Sequence, residues 1–108
     1  ALLQGTSLQI PHEQAGAFHV YHQFVVRTPR RDSLADFLRQ RGIEVGLHYP
    51  VPLHLQPAFL YLGYGPGDFP IAEACARECL SLPLFPHLHE AQVAWVCESV
   101  REWEKDST

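Results

Sequence analysis

The 108-residue chain contains no methionine and a single lysine, Lys105, which sits in a polar run (104–108) at the end of the sequence. The first absence leads us to expect a piece of a larger protein, its C-terminal piece, and the second excludes a lysine-based reacting centre inside the chain. No apolar run approaches the roughly 20 residues needed to cross a bilayer. The start, ALLQGTSLQ, has no basic n-region and does not read as a signal peptide. Positive charge is scarce: eight Lys and Arg stand against twelve Asp and Glu, for a net charge of −4. That argues against a nucleic-acid surface, which needs clustered cations; Arg27, Arg30 and Arg31 read as a solvated helix start. Cysteine is odd in number, at 75, 79 and 97. Reduced thiols in a cytoplasmic protein are therefore expected, not a disulfide framework. The chain also has no glycine-rich phosphate cradle, no nucleophile elbow and no paired carboxylates in an apolar setting.

What is present suits one globular domain over residues 1–108, with 46% apolar and 19% charged residues. Alternation from Phe18 to Arg27 predicts a strand, with Phe18, Val20, His22, Phe24 and Val26 on its core face. A helix is predicted from Arg31 to Arg41, with Leu34, Phe37 and Leu38 on one side. Gly42 is its left-handed stop, and Ile43 folds back onto Leu38. Ile43, Val45 and Leu47 alternate as a second strand; Gly46 within it predicts a close approach by another group. A helical turn is placed in 55–62, and 63–68 (GYGPGD) is a loop. A second helix opens at Phe69-Pro70 and runs to Glu78, since proline loses nothing at a first helical position. Leu80–Leu82 is a third strand. The last helix, from Glu90 to Trp103, carries a stripe of Val93, Val96, Cys97, Val100 and Trp103. Ser7–Ile10 could add a short strand. The expected class is α+β: a small, largely antiparallel sheet of three to four strands with helices on one face.

The most informative stretch is GIEVGLHYPVPLHLQPAF, residues 42–59. Pro50 and Pro52 restrict their own backbones and push the preceding residues to extended geometry. His48, Tyr49 and His54 are thus presented at low entropic cost. They read either as a polar wall that hydrogen-bonds a ligand or as a capped strand end bonded to the domain itself. Tyr21 and Gln23 carry the same ambiguity. Seven histidines raise the question of metal binding, but His19 and His22 point to opposite strand faces. His87 and His89 could converge in a loop, yet no third ligand falls at a recognised spacing. No metal site is assigned.

YHQFVVR (21–27), RGIEVGLHYPVPLH (41–54), QPAF (56–59) and DFPIAEACARECLSLPLFP (68–86), in that order and followed by an amphipathic helix, resemble the small C-terminal domain of the DegT/DnrJ/StrS sugar aminotransferases. The resemblance implies the fold of the C-terminal domain of aspartate-aminotransferase-like, fold-type-I enzymes. It implies a homodimeric parent enzyme that uses pyridoxal phosphate (PLP) to move an amino group, usually from L-glutamate, onto a keto nucleotide-sugar. The cofactor lysine would belong to a large N-terminal domain that this chain lacks, so the chain alone is expected to be inactive and to bind no cofactor. His48 and Tyr49 match the family's HY pair near the sugar-nucleotide pocket. His54 matches the following His, and Glu73 matches a glutamate expected to be structural. His89 stands where Ser or Thr usually caps the last helix. Two other classes stay open: a freestanding binding module and a histidine-based metal protein. In the leading case, apolar surface meant for the missing domain or the dimer mate would make the isolated chain self-associate.

Overall fold

The computed structural model describes residues 1–107. Its regular elements are β1 (Phe24–Arg27), α1 (Arg31–Gln40), α2 (Pro70–Glu78), β2 (Cys79–Leu82) and α3 (Glu90–Asp106), with two 3-10 turns at Leu53–Leu55 and Pro57–Leu62. β1 and β2 pair antiparallel, Phe24 opposite Leu82 and Arg27 opposite Cys79. One isolated bridge lies on each side, Gln9 with Arg27 and Gly46 with Ser81. The fold class is α+β as expected, and the sheet is narrower: two regular strands, with a single bridge at each edge in place of full outer strands.

The register explains where the expected strands stop. Phe24 already faces Leu82, so residue 23 would face Pro83, which has no N–H to offer a ladder. Residues 18–23 find no strand partner among the described residues and form no strand. Phe18 and Val20 are 86% and 79% exposed instead of joining the core. Tyr21 adopts a left-handed backbone (φ 50°), and its N–H donates to His19 Nδ1 at 2.8 Å. The second expected strand, 43–47, contributes only the Gly46 bridge.

Helix ends follow the local chemistry. Gly42 is left-handed (φ 74°). Its N–H donates to Arg39 O and that of Ile43 to Leu38 O, both at 3.0 Å; this is the pair of bonds that defines a Schellman stop. Pro70 is the first residue of α2. The Gln92 side chain accepts the His89 N–H at 2.9 Å, supporting the start of α3 despite the histidine. α3 runs to Asp106, past the expected Trp103.

The core gathers Val26, Leu34, Leu38, Leu80 and Val100, all fully buried, with Trp103 at its border. Trp103 Nε1 donates to Ser33 Oγ at 3.0 Å, joining α3 to α1. The buried Arg31 guanidinium donates to Ala76 O and Cys79 O, both at 3.0 Å, fixing α1 against the junction of α2 and β2. α2 passes into β2 without an intervening loop.

Candidate functional site

Between α1 and α2 the chain leaves the core and runs outward through residues 48–69. His48 and Tyr49 stand at its start, both exposed, Tyr49 to 72%. His48 is held while exposed. Its Nδ1 lies 2.8 Å from Ser81 Oγ, and its ring meets Tyr49 edge-on at 5.3 Å. Gly46 lies directly beneath: a Cβ added there would stand 2.6 Å from His48 Cε1. The glycine is therefore needed for close approach, as its place in the sequence suggested. Alternation along Leu80-Ser81-Leu82 turns Ser81 away from the core toward this ring.

These residues border an open cleft of about 800 Å³. Its walls include Gln23, His48 and Ser81 together with Phe85 and Trp95. Such a mixture of apolar surface and a few hydroxyl, amide and imidazole groups suits a hydroxylated ligand. No lysine lines the cleft among the described residues; Lys105 is in the last turn of α3. The cleft's own lining therefore offers no amine to bond a pyridoxal aldehyde.

His54 is placed differently from its sequence neighbours. Its side chain is only 6% exposed and packs edge-on against Phe69 at 4.9 Å. Nε2 lies 3.7 Å from Glu73 Oε2 and makes no hydrogen bond. Glu73 is itself buried, and its two oxygens share the Gly67 N–H at 2.9 and 3.0 Å. A buried polar atom without a partner costs about 1–3 kcal/mol. Of this pair only His54 Nε2 is without a partner, and Glu73 Oε2, already bonded to Gly67, lies 3.7 Å from it as an acceptor that a small shift would bring into reach. The structure thus places His48 in the wall of the cleft with Tyr49 against its ring, outside the lining, and sets His54 inward, against α2.

The remaining candidates separate. His87 and His89 are both exposed, and among the described residues no cluster of three or more His, Cys, Asp or Glu could hold a metal. Burial pushes the Cys79 and Cys97 thiols above their ordinary range, which keeps them unreactive. Ser81, Phe85 and Trp95 were not singled out from sequence. The signal for Ser81 was the alternation of its strand; the two aromatics reach the cleft only through packing.

The same fold recurs in solved aminotransferases. It superimposes on Streptomyces venezuelae DesV in complex with a ketimine intermediate with a TM-score of 0.93 and 43% identity, covering 96% of this chain and 28% of that one. TlmJ, an aminotransferase from Streptoalloteichus hindustanus, matches with a TM-score of 0.85 and 32% identity over 99% of this chain and 29% of its own. The model of the DegT/DnrJ/EryC1/StrS aminotransferase family matches residues 1–101, and the chain belongs to that family. Among curated relatives, the dTDP-3-amino-3,4,6-trideoxy-alpha-D-glucose transaminase of Streptomyces venezuelae is 52% identical over 78% of this chain and 22% of its own length. A pleiotropic regulatory protein of Geobacillus stearothermophilus is 48% identical over 92% of this chain and 27% of its own. The chain thus spans about a quarter of the length of these relatives.

Proposed function

We propose that the chain is the C-terminal small domain of a PLP-dependent enzyme that moves an amino group from L-glutamate onto a keto group of a nucleotide-linked sugar. The parent works in the cytoplasm as a homodimer, in polysaccharide or amino-sugar biosynthesis. The observation that carries this reading is the exposed His48–Tyr49 pair, of which His48 lines the cleft, in a chain whose relatives include nucleotide-sugar transaminases. PLP supplies the electron sink for amino transfer, and a domain outside these residues holds it. The part played by this chain is binding and orientation. Tyr49 offers a phenol hydroxyl to the sugar or its phosphates. His48, tethered to Ser81 through Nδ1, keeps Nε2 for the same ligand. Apolar side chains around the ledge, including Leu53, Leu60 and Tyr61, are exposed and suit coverage by the rest of the parent or its mate.

The test is the full-length protein loaded with PLP and given L-glutamate with dTDP- and UDP-linked keto sugars. An amino sugar and 2-oxoglutarate should appear in equal amounts, and the 108-residue chain alone should produce neither. Failure of the full-length protein with every such sugar, or transfer by the chain alone, overturns the reading. The relative named as a pleiotropic regulatory protein favours one alternative, a binding module without catalysis. That alternative predicts no transfer but retained binding of a partner.

A further inference from the structure

The ledge is pinned at both ends, and both pins belong to one rigid unit. At the near end, Ser81 on β2 exchanges two backbone bonds with Gly46 (2.8 and 3.0 Å) and holds the His48 ring. At the far end, His54 turns inward to Glu73 on α2. Since α2 continues directly into β2, one continuous piece of chain bears both contacts. The prolines between them stiffen the ledge, yet a stiff rod held at one end still pivots. Beyond His54 the chain returns to the surface, and none of residues 57–62 is buried. The Glu73 side chain is 11% exposed, is anchored by the Gly67 N–H and lies 3.7 Å from His54 Nε2. Phe69 closes over the imidazole from the side.

We propose that Glu73, acting through His54, is a positioning residue for the ledge. It sets where Tyr49 and His48 stand relative to the nucleotide-sugar and does not touch the substrate. This rests on the function proposed above and assigns His54 to holding the wall from behind. The role requires an acceptor at 73 and a ring N–H at 54, so it is specific to these groups and not to their bulk.

The experiment uses the full-length protein with Glu73→Ala, Glu73→Gln and His54→Phe. Steady-state kinetics are measured for both substrates, and amide hydrogen exchange is followed in the same proteins. Glu73→Ala and His54→Phe should raise KM for the nucleotide-sugar about tenfold, with kcat and the KM for L-glutamate within about twofold of the parent. Glu73→Gln keeps an oxygen for Gly67 and should restore most of the loss. The Leu55 and Gln56 amides, bonded to Pro52 O and Leu53 O, should exchange about tenfold faster in Glu73→Ala while α1 and α3 are unchanged. An unchanged sugar KM, or an equal fall for both substrates with faster exchange throughout the domain, overturns the proposal. If the parent protein itself transfers no amino group, the functional reading fails and hydrogen exchange alone decides. Selective loosening of 53–56 then supports the positioning contact, and unchanged rates refute it.

Discussion

The sheet and its two flanking helices differ from the 48–69 excursion in what holds them in place. In the first region Leu34, Leu38, Leu80, Val26 and Val100 are completely removed from water, and burial does most of the stabilising. In the second, Tyr49, Leu53, Leu60, Tyr61 and Leu62 remain largely exposed. Order there comes from prolines, 3-10 turns, left-handed Gly63 and Gly67, and a few polar contacts. A region held in this way can keep its large side chains outward without losing its shape. The contrast is what a binding surface carried on a separate core requires.

Substitutions can sharpen or break that contrast. Leu38→Ala should cost about 2–5 kcal/mol by cavity formation, whereas Leu60→Ala should stay within about 0.5 kcal/mol. Urea unfolding of both variants decides it, and equal losses would show the excursion to be part of the core. Next in size is Gly42→Ala. A Cβ there meets nothing within 4 Å, so its cost is the left-handed backbone alone, about 1–2 kcal/mol. Gly46→Ala should displace the His48 ring and break its bond to Ser81, costing about 0.5–1.5 kcal/mol. In the full-length protein its larger signature should be weaker nucleotide-sugar binding, readable as a KM change without loss of cofactor. An unchanged KM would detach His48 from the ligand.

The smallest effect concerns pH. The Ser7 hydroxyl and, after it, the Ser7 N–H hydrogen-bond to the Glu104 carboxylate and hold the carboxyl below its ordinary range. A depressed folded value means the contact contributes above the unfolded value and is lost as pH falls through the folded one. The protection factor of the Ser7 amide, its exchange rate corrected for the intrinsic pH dependence, should therefore fall in acid while those of α1 hold. An equal fall in both would place the N-terminal segment within the core's cooperative unit.

Much of the fold was legible because it depends on neighbours in sequence. The Gly42–Ile43 stop, Pro70 at the head of α2 and the α3 stripe are local events. So is the need for glycine at 46, although its reason, the His48 ring, lies only two residues on. What failed depended on distant partners. Residues 18–23 alternate like a strand, but nothing in that pattern reveals that Pro83 would stand opposite. His54 shows the same limit at the site. Its spacing from His48 and Tyr49 grouped the three as one wall, while its actual orientation depends on Phe69 and Glu73, reached only after two turns and a loop. Ser81 was hidden for the same reason.

The narrowness of the sheet bears on how the molecule avoids sticking to itself. Along β2 the outward groups are all occupied: Gly46 takes those of Ser81, Arg31 reaches the Cys79 carbonyl, and the Cys79 N–H turns back to Cys75. Along β1, Gln9 occupies Arg27, and among the described strand residues only Val25 keeps open rungs. One residue is too short a template for a stray chain to zip onto. Any clumping of this domain should therefore proceed through its greasy side chains, and detergent rather than a strand-capping substitution should prevent it.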